Sequence, residues 1–356
     1  MNARTLRRAA AVTGAALVVR RALRDRVKKS PLWPLPALEE PTSGRPRDRA
    51  LKLLLTRHEA IADGVVQLRL EGRDLPAWQP GAHLDLVLPS GLVRQYSLCG
   101  DPEDRSSYTV ATRLIPEEEG GRGGSREVHA QLREGVEVEV RGPRNRFPLS
   151  ADAPAHLFVA GGIGITPILP MLREAEARGA DWKLLYGGRS RASMPFLEEV
   201  DELGPQRVSI VAQDEDGLPD LAGALAATAP GTAVYCCGPQ GLMAAVEAAL
   251  PEGRTLHLER FTPRNATEGN GPFAVELRRS GKVLDVAADA SVLATVRAEL
   301  PNVPYSCEQG FCGTCQQRVL EGEIDHRDEL LTDAERNASM LICVSRARGE
   351  RLVLDL

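Results

Sequence analysis

Apolar and polar positions fall into distinct rhythms along the chain. From about residue 48 to 150, short runs rich in Val, Leu and Thr are parted by Gly and Pro: "GVVQLRLEG", "AHLDLVLPSG", "RQYSLCG", "YTVATRLI" and "VEVEVRGP". Alternation over about four to eight residues buries every second side chain of a strand, so this stretch predicts a small antiparallel barrel or sandwich. Only "GSREVHAQLREG" has helical spacing there. From 151 strand gives way to helix: "HLFVAGGIGITPILPMLREAEARG", the strands "WKLLYGGRS" and "RVSIVAQD", then "AVYCCGPQGLMAAVEAAL". Such alternation predicts a parallel sheet with helices on its faces. The last segment opens with "FAVELRRSGKVLDVAADASVLATVRAEL". Two alternating runs meet at Ser280-Gly281 as a hairpin, Asp289 or Ser291 is placed to cap a helix, and "RLVLDL" reads as a strand.

A chain of 356 residues exceeds one ordinary core. The rhythms divide it into an extension with a Pro-rich linker (1–47), an antiparallel β domain (48–150), an α/β domain (151–264) and an α+β domain (265–356). No run approaches the ~20 apolar residues that a spanning helix needs. The catalytic body is expected in the cytoplasm, as a monomer.

Charge singles out the extension. Residues 1–30 carry nine Lys/Arg against one Asp, which leaves the remainder strongly acidic for an overall net charge of −5. An acidic body argues against a nucleic-acid partner. In the extension, Ala9 to Val19 is a largely apolar run between basic clusters. Three readings stay open: a solvated tail, a basic amphipathic helix on an anionic membrane surface, and a targeting segment, although Arg20 and Arg21 stand where a cleavage site should.

Four of the seven cysteines form one pattern: Cys307-x4-Cys312-x2-Cys315, then 27 residues, then Cys343. Clustering points to a metal in a reducing compartment rather than a disulfide framework. The spacing is that of a plant-type [2Fe-2S] centre; a zinc loop is the alternative, but zinc favours two short C-x2-C pairs and only one exists. Gly310 and Gly313 permit backbone N–H groups to turn toward bridging sulfides. Cys99, Cys236 and Cys237 read as small core residues.

"YSCEQGFCGTCQQRVLEGEIDHRDELLTDAE", with motifs upstream of it, resembles the phthalate dioxygenase reductase family, which includes vanillate demethylase reductases. The likeness runs over about residues 50–356 and leaves out the extension. It implies a ferredoxin-reductase-type barrel for FMN, a nucleotide domain, and a β-grasp ferredoxin domain. "RQYSL" resembles the family's flavin signature: Tyr96 as flat neighbour of the ring, Gln95 and Ser97 at its polar edge, Arg94 at the phosphate, with Thr112 and Arg113 of a later strand beside them. "GGRGGSREVH" places Gly121, Arg122, Gly123, Gly124 and Ser125 around the terminal phosphate of FMN. FAD would need room there for a pyrophosphate, so FMN is expected over FAD.

"AGGIGITP" follows a strand and opens a helix. By the resemblance Gly161, Gly162, Gly164 and Pro167 form the pyridine-nucleotide loop and Thr166 sits near the flavin. "YCCGP" places Cys237, Gly238 and Pro239 by the nicotinamide, with Cys237 an element of shape rather than a nucleophile. Arg189, Ser190 and Arg191 in "GGRSRASMPF" are expected at the adenosine ribose or phosphates. NADH is the family's usual donor, and two arginines also suit the 2′-phosphate of NADPH. Phe261 in "LERFTP" matches an aromatic stacked over the flavin. Thr166, Cys237 and Phe261 are therefore the residues placed nearest the hydride transfer.

These sites in order imply an oxidoreductase that takes a hydride from NADH and passes electrons singly to Cys307, Cys312, Cys315 and Cys343. That makes the chain the reductase of an oxygenase system, with a Rieske oxygenase as the expected partner. The alternative is an FAD-containing reductase serving a cytochrome P450 or another hydroxylase.

Overall fold

The computed structural model describes residues 50–119, 121, 123–261, 270–305, 307–311, 313–328 and 330–356. The expectations for residues 1–47, for Arg122 and for Cys312 lie outside the described residues. Three sheets within one compact unit, Asp48–Leu356, carry the sites.

The first sheet comprises β1 (Leu51–Ala62), β2 (Val65–Glu71), β3 (Ala82–Val87), β4 (Val93–Ser97), β5 (Ser107–Arg113) and β6 (Glu137–Asn145), in the order β4-β3-β6-β1-β2-β5. All its pairings are antiparallel, and a bridge between Leu98 and Val110 closes it into a barrel. Its core holds Leu55, Leu68, Leu70, Leu84, Leu86 and Val140, all out of contact with water. Each such side chain contributes about 1.5–3 kcal/mol by leaving water. Helix α1 (Gly124–Gln131) buries Val128 against this core, as the lone helical pattern predicts. The twelve-residue β1 escapes sequence reading because "LKLLLTRHEAIA" has no period of two; only Leu53 and Leu55 of it are fully buried.

The second sheet, β7 (Ala155–Gly161), β8 (Asp181–Gly188), β9 (Val208–Ala212), β10 (Ala233–Cys237) and β11 (Thr255–Glu259), is entirely parallel in the order β11-β10-β7-β8-β9. Helix α2 (Ile165–Ala177) follows β7 and α3 (Gln240–Ala249) follows β10. The order reverses between β7 and β10, so their C-terminal ends border the crevice where open α/β sheets bind ligands.

The third sheet contains β12 (Phe273–Leu277), β13 (Lys282–Val286), β14 (Gln316–Glu321), β16 (Ser339–Leu341) and β18 (Arg351–Leu354), in the order β13-β12-β18-β14-β16. The short pair β15 (Ile324–Asp325) and β17 (Arg346–Ala347) lies beside it. Only β12–β18 is parallel. Helix α4 (Val292–Glu299) buries Val292, Leu293 and Val296 in the core of this sheet, giving a β-grasp. Of the two proposed caps Ser291 serves, its Oγ accepting from Ala294 N at 3.0 Å. Gly281 turns the β12–β13 hairpin at φ +69°. No helix among the described residues is long and apolar enough to cross a membrane.

Candidate functional site

The flavin signature lies on β4. Arg94 is buried, and its guanidinium lies so close to Gly124 that a Cβ there would come within 2.4 Å of Nε. Glycine at the start of α1 thus lets the loop approach Arg94, bringing a cation to a helix N-terminus, a combination suited to a phosphate. Gly123 reaches φ +78° with open space around it. Gly121 packs on the Ile115 carbonyl, and Ser125 Oγ accepts from Ile115 N at 3.0 Å. Tyr96 is hydrogen-bonded through its side chain to Thr112, and burial pushes its phenol up to about 12. Gln95 is half-buried on the face of β4 shared with Ser97.

Ser97 donates to Oε2 of Glu259 at 2.9 Å. Glu259 ends β11 in register with Cys237 at the end of β10. Burial, and after it the Glu259 charge, push the Cys237 thiol well above its ordinary range, so it is no thiolate nucleophile. Glu259 was missed by sequence reasoning; the alternation of "LHLE" ending in an acid was the available signal. Cys99 and Cys236 are buried in core clusters, as expected, with thiols raised to about 12 by burial.

The loops after β7 and β10 meet backbone to backbone. A Cβ on Gly164 would fall 2.2 Å from the Cys237 carbonyl, and one on Gly238 would lie 3.0 Å from Gly161 Cα. A Cβ on Gly161 would strike Pro239 at 2.6 Å. Gly162, at φ +53°, is the member of the loop that faces open space. Thr166 is buried and donates to Ile163 O at 2.9 Å; Pro167 is buried beside it.

The predicted adenosine contacts are engaged with carboxylates. Arg189 pairs with Glu119 at 3.3 Å and Arg191 with Glu215 at 3.0 Å, while Ser190 and Ser193 cap their own turn. Arg113 also pairs with Glu119, at 2.8 Å, and these arginines hold its carboxyl below the usual range. Phe261 is 38% exposed, and its carbonyl accepts from Gln309 Nε2 at 2.6 Å.

Cys307, Cys315 and Cys343 are buried, and the thiol of Cys343 is hydrogen-bonded to both others. Those bonds raise Cys343 far above its ordinary value while Cys315 is held below. Three thiols this close cannot ionise together without a multivalent cation between them. Gln309 N points at Cys307 Sγ, 3.3 Å away. Gly310 and Gly313 have φ of +80° and +75°, and a Cβ on Gly310 would press on Val344 and Asp328. Asp328 is a support that motif reading passed over. Its buried Oδ2 accepts from Leu330 N at 3.2 Å and Leu331 N at 2.8 Å, fixing the segment under the loop.

A family model described as a 2Fe-2S iron-sulfur cluster binding domain matches residues 275–348. Another, the N-terminal domain of dimethylamine monooxygenase subunit DmmA-like proteins, matches residues 137–256. The chain is 43% identical over 312 residues to a phenoxybenzoate dioxygenase subunit beta from Ectopseudomonas oleovorans, covering 84% of this chain and 96% of that protein. It is 39% identical to the phthalate dioxygenase reductase of Burkholderia cepacia, over 87% of this chain and 98% of the relative. Among solved structures, phthalate dioxygenase reductase aligns at a TM-score of 0.64 and 38% identity, covering 86% of this chain and 98% of that one. An intact type IV self-sufficient cytochrome P450 monooxygenase aligns at 0.68 and 39% identity, covering 92% of this chain and 44% of that one.

Proposed function

The chain belongs to the phthalate dioxygenase reductase family, and from that premise we propose how its residues divide the work. It is an oxidoreductase, the electron-transfer reductase of an oxygenase system, working with NADH, FMN and a [2Fe-2S] cluster. FMN, when bound, takes the hydride pair from NADH and releases it singly to the cluster, which accepts one electron at a time.

In this reading Arg94, with Gly121, Arg122, Gly123, Gly124 and Ser125, holds the FMN phosphate. Tyr96 supplies the flat wall and Gln95, Ser97, Thr112 and Arg113 the polar surround. Ser97, whose hydroxyl donates its proton to Glu259, would offer its oxygen at the polar edge of the flavin. Gly161, Gly162, Gly164, Pro167, Gly238 and Pro239 shape the nucleotide crevice, Arg189, Ser190 and Arg191 receive the adenosine half, and Thr166, Cys237 and Phe261 border the nicotinamide. Cys307, Cys312, Cys315 and Cys343 ligate the cluster. The work divides at residues 48–150, 151–264 and 265–356.

The observation that carries the reading is the convergence of three buried thiols in the same compact unit as the Ser97–Glu259–Cys237 apposition. The test is to purify the chain, release and identify its flavin by mass spectrometry, and follow NADH-dependent bleaching with EPR of the reduced cluster. A chain without FMN, or without a [2Fe-2S] signal, refutes it.

The partner is an oxygenase, and we assign it to the Rieske class. The likeness to a self-sufficient P450 supports a second reading, a haem partner, which in-vitro turnover with each purified oxygenase would separate. The reading places the reductase in the cytoplasm as a monomer. The nine Lys/Arg of residues 1–30 support contact of the extension with anionic lipid.

A further inference from the structure

Helix α2 joins the two halves of the hydride site. Its first turn carries Thr166 and Pro167, and the Gly162–Gly164 turn leading into it lies beside β5 of the barrel. On the barrel side, Cys99 and Ala111 are buried in the same core cluster as Ile165, Ile168 and Leu172 of the helix. Apolar packing holds these elements together but has no direction. Direction comes from Arg173. Its Nη1 donates to the carbonyls of Cys99 at 3.2 Å and Gly100 at 3.1 Å, and its Nη2 donates to Glu199. Cys99 stands two residues after Ser97, and its N–H donates to Thr109 O at 2.9 Å. One residue thus bonds the barrel through its amide and the nucleotide helix through its carbonyl. Arg173 and Thr166 are two turns apart, about 10 Å along α2, and so on the same face.

We propose that Arg173 is a positioning residue for hydride transfer: it fixes the helix that carries Thr166 against the strand that ends in Ser97, and so sets the distance between nicotinamide and flavin. The proposal rests on the assignment of FMN to the Arg94–Ser97 strand and of the nicotinamide to the loop after β7. In the step it serves, one hydride with its electron pair leaves NADH and joins oxidised FMN, giving oxidised nucleotide and reduced FMN with no further reactant. Such a step is sensitive to placement, and an ångström of error costs about 100-fold. Two other ties join the barrel to the parallel sheet: Asp63 N donates to Ala192 O at 2.7 Å, and Glu119 pairs with both Arg113 and Arg189. Both lie at the turn after β8, on the side assigned to adenosine. Loss of Arg173 therefore loosens the nicotinamide side while the adenosine half keeps its hold. Lysine in its place keeps a cation and donors for the carbonyls without the planar fork that also holds Glu199.

The test uses the purified, cofactor-loaded full chain and compares Arg173→Met, which keeps much of the apolar stem but no donor, with Arg173→Lys. Stopped-flow absorbance at rising NADH separates the limiting rate of flavin reduction from the Kd for NADH, and titration of flavin-stripped protein gives the Kd for FMN. In Arg173→Met the limiting rate should fall about tenfold with both Kd values within about twofold of wild type, and Arg173→Lys should recover to within about threefold. With NADH deuterated at the transferred position, the isotope effect on flavin reduction should be at least that of wild type, because the hydride step itself is slowed. A limiting rate within about twofold of wild type in Arg173→Met overturns the proposal. So does a loss of rate matched by a loss of affinity for FMN or NADH, which would mean a damaged binding site. An isotope effect that drops toward one also overturns it, since the slowing would then lie outside the hydride step. If Arg173→Met does not fold, Arg173→Gln, uncharged and shorter, decides by the same readings. Failure of the wild-type protein to bind FMN, or of NADH to reduce it, would instead sink the functional reading beneath it.

Discussion

Gly124→Ala separates the phosphate site from the stability of the helix that builds it. The new methyl carbon would lie 2.4 Å from Nε, 2.7 Å from Cγ and 2.8 Å from Cδ of Arg94, so the arginine must leave its place. Arg94 is buried on β4 and one of its nitrogens donates to Val93 O at 3.0 Å, which leaves it little room to retreat. A charge-assisted bond from arginine to phosphate contributes about 1.5–3 kcal/mol. Losing it should weaken FMN binding roughly 10- to 150-fold at ~1.4 kcal/mol per decade. The same substitution adds helix propensity, which contributes about 0.5–1 kcal/mol in the opposite direction. Titration of flavin-stripped protein with FMN, followed by fluorescence quenching, measures the first effect, and urea unfolding of the stripped protein measures the second. The expected result is a rise in Kd that exceeds any loss of stability, since the clash with Arg94 and the gain in helix propensity act in opposite directions. Wild-type affinity in Gly124→Ala would show that Arg94 does not hold the phosphate, and a fall in stability matching the loss of affinity would mean that the helix, not the arginine, was damaged.

Cys343→Ser should abolish the reduced-cluster EPR signal while NADH-dependent ferricyanide reduction stays within about twofold, since ferricyanide can take electrons from flavin; a normal cluster signal would refute the ligand set. His83 is lowered to about 3 in the fold against about 6.5 in the unfolded chain, so its stabilising effect is present above pH 6.5 and is lost as pH falls toward 3. Between pH 7.5 and 5.5 it should cost the protein about 1.4 kcal/mol, and His83→Asn should remove that part of the pH slope in urea melts. Glu215→Gln frees Arg191 from an exposed ion pair of about 0–1 kcal/mol, so KM for NADPH should fall by up to about fivefold with KM for NADH little changed. Equal changes for both nucleotides would remove Glu215 from the ribose end.

Local patterns carried much of this molecule. The cysteine spacing, the lone helix of the barrel and the strand–turn–helix at "AGGIGITP" are short-range features that their own residues dictate. What stayed hidden depends on partners distant in sequence. Nothing around Glu259 indicates that Ser97 bonds it across the barrel and the parallel sheet, and nothing around Asp85 indicates that Arg144, 59 residues later, is its partner. The glycines differ in a way that their sequence does not show. Gly162 and Gly164 look alike in sequence as openings for a nucleotide, but Gly162 faces open space and Gly164 is pressed against the Cys237 backbone. The ion pairs of Arg189 and Arg191 are not legible in the sequence, because Glu119 and Glu215 come from other elements.

The strand order β13-β12-β18-β14-β16 sets a timetable for making the protein. Until Arg351–Leu354 has emerged, the β12–β13 hairpin and the β14–β16 pair have no strand to join them. The barrel and the parallel sheet, by contrast, have every strand once Glu259 is made. Synthesis therefore completes every strand of the barrel and the parallel sheet before the strand that joins the two halves of the sheet framing the cysteine loop.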